Sequence, residues 1–478
     1  MGYRDLRDFL VALEGRGRLR RIAQPVDRSW ELACIARWLY QAVPERERFG
    51  LLFENAGAMP VVTAAIGASR ETYALALDTT PEGIIPAWVR ALSHPIPPVR
   101  VAQAPCQEIV LTGRSASLDL LPIPIWTPGK DVAPYLTTLT ITRDADAGFQ
   151  NCAVYRSMVL DERRVVVNLN PGRHGWRCVE SYLRRGLPAP ITWVIATEPA
   201  VHCAAVANVP YGVDEVSIAG GLKGTPVETV KARTIDLAVP AHAEIVIEGE
   251  IRPDDRAREG PFGEFAGYMS QAVERPVATI TAITHRRDPL YYGYISQFPP
   301  SESTTLQSLG NCGLVLKQLH DLGHASVRDV HIDLTYGGLL AHGVIAMRPQ
   351  YPGHARQIGR IVADTTLLKR VTVVDEDIDI RDAQHLDWAL NARYDPARDT
   401  VLVSGTFSPA DMDPAVRSEG REAAGSKIVI DATEKSGAPP FSLPSRELMD
   451  KALESWRAAG LPPIEVPRRV DLALARKK

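Results

Sequence analysis

Two glutamates five residues apart, Glu259 and Glu264, bracket the segment Gly260-Pro261-Phe262-Gly263 in a run that ends on Tyr268. Glycine and proline forbid a helix there, so the two carboxylates belong to a tight loop rather than to one helical face. Neighbouring carboxylates compete for charge, and one of them then holds a proton more firmly, which is how a general acid is prepared. The plain alternative is a pair of surface glutamates on a hairpin. Against it stand Phe262, Phe265 and Tyr268, aromatic company for a loop folded over something. Upstream, the run Asn151-Cys152-Ala153-Val154-Tyr155-Arg156 starts a strand with an amide and closes on a permanent cation. Asn168-Leu169-Asn170-Pro171-Gly172-Arg173-His174 leaves a strand for a turn with a histidine at its tip. Gly220 to Glu228 joins a flexible glycine stretch to Lys223 and a carboxylate. Asn, His and Glu form an oxygen and nitrogen donor set suited to Mn2+ or Mg2+ bridging a phosphate, although each also has a structural reading when taken alone.

These residues need a scaffold, and the hydrophobic pattern supplies one in stretches. Leu6, Phe9, Leu10 and Leu13 recur at helical spacing, as do apolar residues from Glu31 to Val43. Short apolar runs at 51–57 and 59–67 read as strands, and four prolines from Ser93 to Pro105 read as a linker. From 107 to 300 strand-like runs dominate, with one convincing helix at 176–186. Alternation without intervening helices favours an antiparallel barrel or sandwich. From 305 to 435 helices and strands alternate as in α/β domains, and an amphipathic helix from Ser445 precedes a polar tail ending in two lysines.

The remaining chemistry narrows by exclusion. The chain has 478 residues, a formal net charge of −3 and 45% hydrophobic residues, which suits about three soluble domains and no global nucleic-acid or membrane field. The six cysteines are scattered, so CxxC redox centres are absent and reduced thiols in a cytoplasm are expected. No apolar run reaches the roughly 18 residues of a membrane span, and the start of the chain lacks a secretory apolar core. P-loop, GxGxxG, GxSxG and HExxH signatures are absent. His242-Ala243-Glu244 starts like a zinc deaminase but reads as the beginning of a strand, and the acidic run from Asp375 to Asp379 reads as a strand end capping a helix rather than a calcium loop.

The combination of NxxxYR, the Gly-Arg-His turn, GGLKGTPVE, EGPFGEFxGY, VDEDIDI and GSKIVIDAT, in this order over nearly the whole chain, resembles the UbiD family of prenylated-FMN-dependent decarboxylases. The resemblance implies a multi-domain α/β protein. Residues 1–105 would form an N-terminal α/β domain, 106–305 a split β-barrel of flavin-reductase type holding the cofactor, and 306–440 a C-terminal α/β domain. Residues 441–478 would be a helix and tail at an oligomer contact, in a homodimer or homohexamer. It implies that Arg156, Glu259 and Glu264 are catalytic, with Glu264 as the acid that protonates the carbon after CO2 leaves and Glu259 orienting Arg156. Asn151, His174 and Glu228 match the ligands of a divalent metal, Mn2+ or Mg2+, that tethers the flavin phosphate. Val154, Tyr155, Arg156, Asn168, Leu169 and Arg173 would line the cofactor, and carbonyls near Cys152 and from Ser217 to Gly221 would bind K+. Lys369 and Arg370 are both candidates for a phosphate contact, and Phe265 for a wall of the substrate pocket.

The implied reaction is reversible, non-oxidative decarboxylation of an aromatic, heteroaromatic or α,β-unsaturated acid through a covalent adduct with prenylated FMN, because loss of CO2 from an sp2 carbon needs an electron sink that no side chain offers. The YR form of the first motif points toward aryl and heteroaryl acids. A flavin prenyltransferase would supply the cofactor. Two other classes fit a flavin-binding barrel: a non-catalytic accessory subunit and a conventional FMN oxidoreductase. Neither gives the two glutamates and the arginine a reason to occur together.

Overall fold

The computed structural model describes residues 2–334, 340–408, 413–417 and 424–475, so the terminal lysine pair lies outside the described residues. By its internal contacts the chain divides into two compact units, the first built on residues 1–314 and the second on most of residues 315–478. Residues 1–105 and 106–305 thus share one packed body.

In the first unit the opening helix forms at Leu6–Gly15, capped by the Asp5 carboxylate, which accepts from the Asp8 amide. Its apolar stripe of Leu6, Phe9, Leu10 and Leu13 is buried, as the spacing predicts. The helix Glu31–Ala42 follows, and strands Leu19–Pro25, Gly50–Asn55, Val61–Thr63 and Tyr291–Tyr292 make a four-stranded sheet. The proline-rich stretch is not only a tether: Val99–Arg100 pairs in parallel with Glu228–Lys231.

The centre of this unit is a nine-stranded sheet that curls into a half-barrel. Its path runs Tyr135–Leu136, Ser157–Asp161, Arg164–Val167, Val273–His285, Ile245–Glu259, Ala189–Ile195, Leu139–Arg143 and Gln150–Val154, with Ile109–Thr112 also pairing on Val273–His285. Every neighbouring pair is antiparallel. The 15-residue strand Ile245–Glu259 and the 13-residue strand Val273–His285 are its spine, and register shifts after Glu248 and Ile251 bend them. Glu259 is the last residue of the first and sits opposite Val273, so the loop carrying Glu264 leaves from the end of the spine.

Helices are more numerous in this region than alternation suggests: Pro199–Ala204 and Glu215–Lys223 join His174–Leu183. Gly220 and Gly221 read as a flexible loop in the sequence, yet they lie inside a helix. A Cβ at Gly220 would fall 2.3 Å from the Ile96 carbonyl oxygen, and one at Gly221 would fall 2.9 Å from the Ala91 Cα. The glycines mark close approach of two backbones rather than a turn.

The second unit holds a five-stranded sheet in the order Val327–Ile332, His342–Met347, Arg370–Asp375, Ala424–Asp431, Thr400–Phe407, parallel at its centre and antiparallel at both edges. Helices His354–Thr365 and Ala383–Arg393 fall where the periodicity predicts. The acidic run after Arg370–Asp375 is tied inward, since Arg393 donates to Asp375 and Asp377 at 2.8 Å each. The run is thus structural, but it is not the helix cap that the sequence suggests: Asp382, beyond it, caps Ala383–Arg393.

Candidate active site

Arg156 lies in the two-residue gap between the strands Gln150–Val154 and Ser157–Asp161, and it gathers both glutamates of the opening motif. Its Nε donates to Glu259 Oε1 at 2.9 Å and its Nη2 to Glu259 Oε2 at 3.0 Å, a two-point fork that fixes both planes. Nη1 donates to Glu264, and Nη2 also reaches Ser270 Oγ at 3.2 Å. The guanidinium sits 5.0 Å from the centre of the Phe262 ring, which itself packs 4.4 Å from Tyr135. Glu259 is fully buried and Glu264 nearly so. Burial alone would loosen the proton on Arg156, but the charge of Glu264 and the bonds to Glu259 outweigh it and hold the arginine cationic. One cation thus serves two carboxylates, so a single added proton brings the cluster to neutrality.

The loop between Glu259 and Ser270 owes its shape to short-range bonding. The Glu264 amide donates to Tyr268 O at 2.8 Å, and the Gly267 amide returns to Glu264 O at 2.9 Å. Ser270 Oγ accepts from the Phe262 amide at 3.0 Å while it touches Arg156, so one hydroxyl ties loop to cation. Gly263 has no room for a side chain: a Cβ there would lie 2.5 Å from Thr127 Oγ1 and 2.6 Å from Gln297 Cγ.

Asp131 is a residue of this site that sequence reasoning missed. Its Oδ1 accepts from the Gly263 amide at 3.3 Å and its Oδ2 from the Thr127 amide at 2.7 Å, so one carboxylate bridges its own Pro-Gly turn and the loop of Glu264. The signal was present as an Asp closing the turn from Thr127. Burial pushes its carboxyl up to about 6, against the pull of those two amides. A native pKa above the ordinary value of 3.8 means that the folded state binds the proton more tightly. Stability from this group is therefore complete below about pH 4 and declines as pH rises toward 6, by an amount on the order of 3 kcal/mol. Asp131→Asn should flatten that decline. Urea unfolding of both proteins at pH 4.5 and 7 checks it, and identical pH slopes would contradict it.

A second group of polar residues surrounds Tyr155. Asn151 is fully buried and stands opposite Thr142 in the pairing of Leu139–Arg143 with Gln150–Val154. Its Nδ2 reaches Tyr155 Oη at 3.5 Å, and the Gly175 amide donates to the same oxygen at 2.9 Å. His174, the first residue of its helix rather than the tip of a turn, is thereby brought to the same neighbourhood. Burial, then the charges of Arg177 and Arg173, lowers the His174 imidazole below its usual range, which keeps it neutral and able to ligate. Asn151 Oδ1 has no hydrogen-bond partner. A buried amide oxygen without a donor is suited to a cation.

Glu228 bonds His242 Nε2 at 2.7 Å with its carboxylate half exposed. Among the described residues no trio of His, Cys, Asp and Glu is gathered for a metal, so any ion here would depend on the amide of Asn151. Ser217 to Gly221 lie in a helix rather than the loop that the sequence suggests, and Ser217 O accepts from the Ile96 amide at 2.9 Å and Gly220 O from Gly224 at 2.8 Å. Asn168 Oδ1 accepts from Arg275 at 3.0 Å, Leu169 is in the core, and Arg173 stands at the helix start. Val154 ends its strand beside Tyr155, and Phe265 is buried next to Glu264. Lys369 and Arg370 belong to the second unit, where Arg370 Nη2 lies 2.8 Å from His342 Nδ1. Glu244 of the His-x-Glu run is held by Arg7 at 2.7 Å and Arg286 at 2.8 Å, a structural ion cluster.

Three successive domain families match the chain: the N-terminal domain of 3-octaprenyl-4-hydroxybenzoate carboxy-lyase over residues 10–92, its Rift-related domain over 98–298 and its C-terminal domain over 305–432. That series, with the buried carboxylates on the central sheet, is the build of a carboxy-lyase. The UbiD-class enzyme HmfF from Pelotomaculum thermopropionicum, solved in complex with FMN, is 33% identical and covers 94% of this chain and 98% of its own, with a TM-score of 0.84. An evolved dimeric form of HmfF in complex with prenylated FMN is 33% identical over 92% and 97% of the two chains, with a TM-score of 0.80. The vanillic acid decarboxylase of Sedimentibacter hydroxybenzoicus in its closed form is 27% identical over 96% and 99%, with a TM-score of 0.84. The chain belongs to the UbiD family of decarboxylases, with that family's N-terminal, central and C-terminal domains.

Proposed function

We propose that this protein catalyses reversible, non-oxidative decarboxylation of an aromatic, heteroaromatic or α,β-unsaturated carboxylic acid with prenylated FMN as cofactor, and that Arg156, Glu259 and Glu264 are its catalytic residues. The observation that carries the reading is the buried ion cluster in which one arginine grips both glutamates. Taking three charged groups out of water is costly, and neither a passive flavin carrier nor a hydride-transferring flavoenzyme calls for the arrangement. When bound, prenylated FMN supplies the electron sink for the departing CO2. Glu264 holds the proton that takes the place of CO2 on the substrate carbon: the pair of the breaking C–C bond, which the bound cofactor would hold, forms the new C–H bond with the Glu264 proton, Glu264 is left as the carboxylate beside Arg156, and solvent restores its proton. Arg156 steadies Glu264 in both charge states, Glu259 fixes Arg156, and the buried rings of Phe262 and Phe265 keep water from the exchange.

The cofactor would occupy the central sheet, read as a split barrel of flavin-reductase type. Val154, Tyr155, Asn168, Leu169 and Arg173 would line it. Asn151, His174 and Glu228 would hold Mn2+ or Mg2+ on its phosphate, supported by the unpartnered Asn151 oxygen and the neutral His174. K+ would draw on carbonyls near Cys152. The cofactor would come from a flavin prenyltransferase in the cytoplasm, and residues 441–478 would join a homodimer or homohexamer. Chelating divalent metal during production should yield protein stripped of flavin absorbance, and full flavin occupancy without metal would overturn the ligand set. Activity should depend on co-expression with a flavin prenyltransferase, and equal CO2 release with plain FMN would overturn the cofactor.

A further inference from the structure

Two residues near the loop of Glu264 are held in ways that local folding does not require. Gln297 is 4% exposed and stands at φ +65°, in the left-handed region that a residue with a Cβ rarely adopts. Its Oε1 accepts from Arg37 Nη2 at 2.7 Å, which fixes the amide, and its Nε2 is buried with no acceptor. Arg37, on the helix Glu31–Ala42, is the second. Its Nη2 also donates to Ser296 O at 2.8 Å and its Nη1 to Phe298 O at 2.5 Å. Burial pulls this guanidinium down to about 10, and no carboxylate pairs with it among the described residues. One turn later, Gln41 Nε2 reaches Phe298 O and Pro299 O at 3.3 Å each. Two successive turns of one helix thus grip residues 296–299.

What that segment touches is the loop of Glu264. Gln297 Cγ lies 2.6 Å from where a Cβ of Gly263 would stand. Phe298 Cδ2 and Pro299 Cδ lie 3.1 and 3.2 Å from the corresponding point of Gly267. Gly263 directly precedes Glu264, and the Gly267 amide donates to Glu264 O at 2.9 Å. Both glycines therefore rest on residues 297–299 at distances that admit no side chain. Asp131 accepts from the Gly263 amide, so the residue before Glu264 is fixed by a hydrogen bond at its nitrogen and by Gln297 at its Cα. A shift of about 1 Å there carries to the Glu264 carboxyl, and a misplacement of that size can slow a reaction about a hundredfold.

We propose that Gln297, clamped by Arg37, is a positioning residue that sets the reach of the Glu264 carboxyl toward the substrate carbon. The helix Glu31–Ala42 then takes part in proton transfer through residues 296–299. Plain packing does not account for the arrangement. A glycine at 297 would adopt the same backbone without strain, and an apolar residue at 37 would avoid burying a cation. The inference deepens the decarboxylase reading above and rests on it.

Gln297→Gly separates positioning from packing. Glycine suits φ +65°, which offsets the freedom it adds to the unfolded chain, and Arg37 keeps its two carbonyls. Flavin-loaded wild type, Gln297→Gly, Glu264→Gln and the double variant should be compared on whichever aryl, furan, pyrrole or acrylic acid the wild type turns over fastest. Gln297→Gly should keep the wild-type flavin ratio and a urea midpoint close to the wild type's. Its KM should stay within about twofold while kcat for CO2 release falls about ten- to a hundredfold. Added to Glu264→Gln, it should slow CO2 release by less than about twofold more, since a residue acting through Glu264 has nothing left to position. Arg37→Lys, which keeps the charge but not the fork, should lower kcat in the same pattern. A loss that multiplies that of Glu264→Gln, or one shared with flavin content and stability, would overturn the assignment. No CO2 from any acid with the wild type sinks the decarboxylase reading and this inference with it. Release by the wild type and by Gln297→Gly at equal rates sinks this inference alone.

Discussion

Glu264→Gln should bind flavin at the wild-type ratio and release CO2 on the order of a thousandfold more slowly. The substitution is isosteric, and its amide oxygen still accepts from Arg156, so the loop hairpin through Tyr268 and Gly267 has no reason to move. What it removes is the transferable proton, and general acids contribute about 10²- to 10⁴-fold. Because the reverse exchange needs the same proton, solvent deuterium incorporation into the product should fall with it. CO2 release and deuterium exchange measured per bound flavin check the prediction. A fully active variant would remove Glu264 from the chemistry.

The second large effect is on stability as well as rate. Arg156→Met leaves Glu259 and Glu264 buried with no cation between them, and breaking a buried ion cluster by removing one partner costs about 3–5 kcal/mol. Both carboxylates would then be forced toward protonation, and activity should be lost with the cation that steadies Glu264. The double variant Arg156→Met with Glu259→Gln should recover a large part of the stability, since it removes one stranded charge, and none of the activity. Urea unfolding of the single and double variants measures this. An Arg156→Met protein as stable as the wild type would mean that the cluster is hydrated and its charges cheap.

Much of the scaffold was legible in the sequence because single elements carry their own signals. The helix Leu6–Gly15 follows from its apolar stripe and the Asp5 cap, and the turn of Gly263 from residues with no helical option. The pairing of Arg156 with Glu259 and Glu264 was legible only through the family resemblance, since strands over a hundred residues apart meet there by tertiary folding. The expectations that failed did so for physical reasons. Gly220 and Gly221 suggested a flexible loop, but a glycine pair also permits two backbones to touch, and here the second cause operates. Asp131 was overlooked because its role is to accept from an amide 132 residues away, a bond that no local pattern announces.

The most direct test of the decarboxylase reading is the reaction itself. Protein co-produced with a flavin prenyltransferase should be incubated in D2O with aryl, furan, pyrrole and acrylic acids, and CO2 and product deuterium measured. The expected result is CO2 release from at least one acid, with one deuterium at the carbon that carried the carboxylate, and both slowed on the order of a thousandfold in the Glu264→Gln protein. CO2 release that proceeds equally with plain FMN, or no release from any acid by protein carrying the prenylated cofactor, would contradict it.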